Sequence, residues 1–230
     1  MIPLKDDIPT IRAPVVTIAL ISANVAAFLW QVLVVGLPLS VRMGGAIPYE
    51  ILTLRDIVPP DLVPPPFTVL TSMFLHGGFM HVAGNMLFLW IFGNNVEDAL
   101  GRGKFLAFYL ACGVAAAAAQ VIATVLGGDE RALLVPMVGA SGAIAGVLAG
   151  YMVLFPHARV LTFIPIFLGL VYLPASLYLG LWFLTQLLSA LLGDAGGGVA
   201  FMAHVGGFVA GWILVRTMGP RVYRARRATW

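Results

Sequence analysis

Val138-Gly139-Ala140-Ser141-Gly142-Ala143-Ile144-Ala145-Gly146 opens an apolar segment that runs on to Phe155. Gly142, Gly146 and Gly150 recur at every fourth residue, so in a helix they share one face and let a neighbouring backbone come close. Ser141 is therefore expected where two helices touch. In a chain with 26 glycines a G-x-S-G string also arises by chance, and small residues at a helix contact in a membrane need no chemistry. The stretch takes its meaning from what surrounds it.

Composition sets the class. Of the 230 residues 60% are hydrophobic and 10% charged, and the mean hydropathy is +0.98. Several stretches exceed the roughly 20 apolar residues needed to cross a bilayer. The chain reads as an all-α, polytopic membrane protein, a bundle of six transmembrane helices, with no room for a separate soluble domain. Cys112 is alone, so no intramolecular disulfide forms.

Residues 14–35 make the first apolar run, longer than a signal-peptide core of about 7–15 residues and followed by no convincing cleavage site, so a retained helix is expected. Residues 36–78 form a long outer loop in which Arg42, Glu50, Arg55, Asp56 and Asp61 alternate with apolar residues, and Pro59, Pro60, Pro64, Pro65 and Pro66 interrupt any helix. Five further spans are expected at about 79–93, 105–126, 140–155, 168–192 and 199–218. The membrane domain is thus residues 14–218, between an N-terminal segment, 1–13, and a basic tail, 219–230. Six spans put both termini on one side. That side holds Lys5, Arg12, Arg102, Lys104, Arg159, Arg216, Arg221, Arg224, Arg226 and Arg227, against Arg42, Arg55 and Arg131 on the other. The positive-inside rule then expects both termini in the cytoplasm. The expected location is the plasma (inner) membrane of a prokaryote. The tail suits anionic lipid head groups, and nothing points to nucleic acid.

Ionisable groups inside spans are costly and mark function by default. His157, beside Arg159 at the end of the fourth span, reads as interfacial. His76 falls in the loop before the second span, where solvation or a local hydrogen bond is expected. His81 and His204 instead open apolar spans, with Asn85 one turn beyond His81, and with Gly207 and Gly211 on a face adjacent to His204. Ser141 lies 16 residues from His157, and His81 lies 16 residues from Glu97, each about 24 Å at 1.5 Å per residue. Asn85 and His204 come to the same depth within about a helical turn. The glycine faces of the fourth and sixth spans are expected to bring Ser141 and His204 together.

Such a cluster supports acyl transfer. A serine hydroxyl is a weak nucleophile until a base takes its proton, and His204 is the candidate base. The second, fourth and sixth spans hold no acid to orient the histidine, which leaves a Ser-His dyad. The Ser141 amide lies at a helix N-terminus suited to developing negative charge, and His81 and Asn85 add side-chain donors.

These residues resemble the rhomboid intramembrane serine proteases: His76-x4-His81-x3-Asn85, Gly139-Ala140-Ser141-Gly142 and Ala203-His204-x2-Gly207-x3-Gly211, in that order on the second, fourth and sixth spans. The 94–98 stretch and Gly101 look like the family's short connection after the second span. The resemblance implies Ser141 as nucleophile, His204 as general base and later acid, and an oxyanion site of His81, Asn85 and the Ser141 amide. His76, Gly139, Gly142, Gly207 and Gly211 support them. It implies cleavage of single-pass membrane proteins near the outer face of the bilayer, with no metal or cofactor. Two positions depart from the family: Ala145 stands where some members place a tyrosine against the catalytic histidine, and residues 66–71 lack the Trp-Arg pair that others carry.

A zinc protease would need H-E-x-x-H or its equivalent, and no histidine here precedes a glutamate. An intramembrane aspartyl protease would need two acids in spans. A transporter would put its polar site at the midplane between repeats. The rival that remains is a non-catalytic rhomboid-like binding protein. The glycine-rich stretch 193–198 is expected to cap the site as a movable lid.

Overall fold

Backbone in lipid must satisfy its own hydrogen bonds, so the apolar runs fold as helices. The computed structural model describes residues 1–57, 63–192 and 199–219. In chain order these form β1 (Ile2–Asp6), α1 (Val15–Trp30) with a π-helical turn (Gln31–Val35), α2 (Leu37–Gly44), α3 (Pro48–Thr53), α4 (Pro65–Thr71) and α5 (Phe79–Phe88). A second π-helical turn (Leu89–Gly93) leads into α6 (Asn94–Leu100). Then come α7 (Arg102–Gly127), α8 (Ser141–Leu154), β2 (Arg159–Ile164), β3 (Gly169–Pro174), α9 (Ala175–Leu192) and α10 (Phe201–Met218). The expected lid, 193–198, and the basic tail beyond Gly219 lie outside the described residues, as do Pro59, Pro60 and Asp61 of the long loop.

Among the described residues four helices are long and apolar enough to cross a membrane: Val15–Val35, α7, α9 and α10. Pro65–Phe74 and Phe79–Leu100 form a pair bent by 79°, a fifth crossing if taken as one span. Length does not carry the count to the expected six, because α8 has 14 residues, about 21 Å. Its environment explains how so short a helix serves. Every residue from Gly142 to Tyr151 is buried, as expected for a helix apolar on all sides. It is walled by protein, so it need not match the bilayer.

The glycines divide the packing of α8 between two partners. A Cβ on Gly142 would lie 2.5 Å from the Ala116 Cβ, one on Gly146 would run into Cys112, and one on Gly150 would lie 3.1 Å from the Phe108 ring, all on α7. The α10 contact is opened from the other side, since Cβ atoms on Gly207 and Gly211 would strike the backbone of Gly142 and Gly146. The α10 glycines thus set the approach that the sequence reading credited to both helices.

The mostly helical fold also carries a small antiparallel sheet, order β1-β2-β3, absent from the sequence reading. The fifth span, expected from residue 168, begins at Ala175. Pro174 would remove a hydrogen bond from the interior of a helix begun at 168, and residues 169–174 pair with residues 159–164 instead. Within the N-terminal segment, residues 1–13, Asp6 and Asp7 bond to this end of the fold. Asp6 Oδ2 accepts from the Tyr151 hydroxyl (2.5 Å) and the Asn95 amide (2.6 Å), and Asp7 accepts from the Arg159 N–H. Residues 94–98, read as a connection, lie in the buried helix α6. There Glu97 caps α1, accepting from the Val16 N–H (3.0 Å), the Thr17 N–H (2.7 Å) and the Thr17 hydroxyl (2.8 Å). Burial pushes the Asp6 carboxyl up to about 6, against the lowering effect of the Tyr151 hydrogen bond.

Candidate active site

Ser141 is the first residue of α8, where the amides of the opening turn have no partner within the helix. The chain reaches it along residues that the long loop holds in place. Ala46 and Met137 exchange two backbone hydrogen bonds of 2.9 Å, and the Gly139 N–H donates to the Ser72 carbonyl at 2.8 Å. Gly139 sits at φ +124°, a region that disfavours a side chain, and a Cβ there would lie 2.7 Å from His81 Nε2. Two separate constraints thus require glycine at 139.

The close approach of α10 delivers His204. His204 Nε2 and Ser141 Oγ are 2.8 Å apart, so the pair expected from two distant stretches does meet. Both residues are half-buried. Trp182 of α9 packs against the imidazole at 5.9 Å between centroids, and Phe201 meets it edge-on at 6.3 Å. Trp182 therefore supplies the ring support that Ala145 cannot.

The donors expected from α5 also gather here. His76, expected in solvent or locally bonded, is wholly buried. Its Nε2 lies 2.9 Å from Asn85 Nδ2, and its ring meets His81 edge-on at 5.0 Å. An amide nitrogen can only donate, so His76 Nε2 accepts from Asn85, whose second amide hydrogen remains for another acceptor. The Gly77 N–H reaches His81 Nδ1 at 3.4 Å, which makes Nδ1 the acceptor and leaves the ring proton on Nε2, the nitrogen facing Gly139. His157 is exposed at the opposite end, as expected.

Sequence reasoning sorted ionisable groups and passed over the amides. The chain has three glutamines, 31, 120 and 186, and each reaches this site. Gln31 clasps the His76 peptide, accepting from its N–H (2.9 Å) and donating to its carbonyl (3.2 Å). Gln120 accepts from the Ala203 N–H (3.1 Å) beside His204. Gln186 Oε1 lies 2.7 Å from His204 Nδ1. The missed signal was in plain view: a polar amide in an apolar span must find a partner.

Beside Ser141 lies a cavity of about 50 Å³ walled by small residues, among them Ala46, Ala116, Ala117, Gly142, Ala143 and Ala203. It admits a small side chain and little more.

Residues 65–221 match the rhomboid domain family model. Rhomboid protein 1, mitochondrial, of Saccharomyces cerevisiae is 34% identical over 147 residues, 64% of this chain and 38% of that protein. The presenilin-associated rhomboid-like protein, mitochondrial, of Bos taurus is 36% identical over 100 residues, 43% of this chain and 26% of that protein. Rhomboid protease GluP of Bacillus subtilis is 38% identical over 84 residues, 36% of this chain and 15% of that protein. The matched region is thus well under half the length of each relative. The mitochondrial relatives overturn the expected plasma membrane of a prokaryote, and with it the placing of both termini in a cytoplasm. With a family model covering more than half of its residues, this chain belongs to the rhomboid family.

Proposed function

We propose that this chain is an intramembrane serine endopeptidase that cuts transmembrane segments of membrane proteins, with Ser141 as nucleophile and His204 as general base. The observation that carries the reading is the 2.8 Å hydrogen bond between Ser141 Oγ and His204 Nε2 beside a small cavity. His204 takes the Ser141 proton as Oγ attacks the scissile carbonyl, then passes it to the leaving amine as the acyl-enzyme forms. Water, activated by the same nitrogen, releases the acyl group. The negative oxygen of each tetrahedral intermediate is met by the Ser141 N–H, the His81 Nε2–H and the remaining Asn85 amide hydrogen.

Substrate choice follows from size and from helix stability. A cavity of about 50 Å³ between alanines and glycines selects a small residue at the cut. A peptide bond inside an intact helix is shielded, so substrates carry small or helix-weakening residues near the membrane face at which α8 begins. Two of the named relatives are mitochondrial proteins, which supports a mitochondrial membrane as the setting for this activity.

The test is covalent labelling. A fluorophosphonate probe should label the wild-type protein, and both Ser141→Ala and His204→Ala should lose the label while keeping the wild-type melting temperature. Model transmembrane substrates should be cut by the same protein that labels. A folded wild type inert to probe and substrates alike would favour a non-catalytic binding protein.

A further inference from the structure

The Ser141–His204 pair has a third member on α9. Gln186 Oε1 and His204 Nδ1 are 2.7 Å apart, and the orientation of that amide is set by its neighbours. The Thr185 hydroxyl donates to the Trp182 carbonyl at 2.6 Å, so its oxygen is free to accept from Gln186 Nε2 at 3.2 Å. With Nε2 committed to Thr185, the atom facing His204 is the carbonyl oxygen, which can only accept. His204 Nδ1 must then carry the ring hydrogen. That leaves the lone pair on Nε2, the nitrogen 2.8 Å from Ser141 Oγ. The same helix face supports the ring by packing, since Trp182, one turn before Gln186, lies against the imidazole.

We infer that Gln186 is a positioning residue that fixes the tautomer and orientation of His204, in the place a carboxylate occupies in a Ser-His-Asp triad. The inference rests on the protease reading above. A carboxylate does two things for a histidine: it sets the tautomer and it stabilises the imidazolium. The Gln186 amide does the first. It carries no charge, which suits an apolar helix where a buried carboxylate would be costly. Unlike Gln31 and Gln120, which bond backbone, Gln186 bonds the ring of the base itself.

The experiment compares wild type, Gln186→Leu, Gln186→Met and Gln186→Glu in detergent micelles, reading fluorophosphonate labelling rate, kcat and KM on a model transmembrane substrate, and thermal melting. Gln186→Leu should lower kcat and labelling roughly 10–100-fold with KM within about twofold, less than the ~10⁴-fold that a mis-set tautomer costs in a charged triad. Gln186→Met keeps length with only a weak thioether acceptor and should come close to Leu, serving in its place if Leu misfolds. Gln186→Glu restores an acceptor and should recover activity to within a few-fold of wild type. An active wild type with equally active Leu and Met variants overturns the inference alone, as does a Glu variant no better than Leu. A loss carried wholly by KM also overturns it. A wild type inert to the probe overturns the protease reading, and this inference with it.

Discussion

The two ends of α8 solve opposite problems. At the Ser141 end, uncharged hydroxyl, imidazole and amide groups bond one another: Ser141 with His204, His204 with Gln186, and His76 with Asn85. At the Leu154 end, two carboxylates take more than one donor each: Asp6 binds Tyr151 and Asn95, and Glu97 takes three donors from α1. A carboxylate with its acceptor sites filled is a fastener, because charge-assisted bonds are the strong ones. A neutral amide or imidazole with capacity left over can still respond to a substrate. Stability should therefore reside at one end of α8 and chemistry at the other.

The largest test of that division is Ser141→Ala, which should abolish labelling and cut turnover by at least ~10⁴-fold while leaving the melting temperature within about 2 °C of wild type. Unchanged proteolysis would remove the site from this end altogether. Asn85→Ala comes next. Losing one oxyanion donor typically costs about 10²–10³-fold, and with His81 and the Ser141 amide remaining, turnover should fall toward the lower figure without vanishing. Wild-type turnover in that variant would take Asn85 out of the reaction and leave it as the partner of His76.

At the other end the pattern should reverse. Glu97→Ala strands three donors at the start of α1 and should cost about 2–3 kcal/mol of stability, read by thermal or denaturant melts in micelles. The fraction that stays folded should label at the wild-type rate, and a matching loss of labelling rate would mean the two ends are coupled. The smallest effect concerns Asp6. Its carboxyl is raised to about 6 from an ordinary value of 3.8, chiefly by burial, so between those values the folded state binds the proton that the unfolded state releases. Stability should rise as pH falls from about 6 toward 4, and Asp6→Asn should flatten that slope. A slope of the opposite sign would show that the ionised form is the better partner for Tyr151 and Asn95.

Much of the site was legible because membrane composition makes polar residues conspicuous. His81, Asn85, Ser141 and His204 each stand in an apolar run, and spacing alone put them at one depth. Three things were hidden. His76 looked like a loop residue because nothing local shows that Gln31, 45 positions away, clasps its peptide and draws it inside. Residues 169–174 looked like the start of a span because hydropathy does not distinguish an apolar strand from an apolar helix, and only pairing with residues 159–164 decided between them. Gln186 carries no charge and so escaped a search built on ionisable groups.

The sequence by itself determined that this chain is a helical membrane protein, and that a serine and a histidine lie at matched depth on glycine-bearing helices. Both follow from the cost of polar groups in lipid and from a rise fixed per residue. Tertiary structure decided which face of each helix meets which neighbour. It placed the α8 glycines against α7 and the α10 glycines against α8, and turned Trp182 and Gln186 toward His204. Helical periodicity says which residues share a face; what that face meets depends on packing among helices far apart in the chain, where one missing Cβ sets the distance of closest approach.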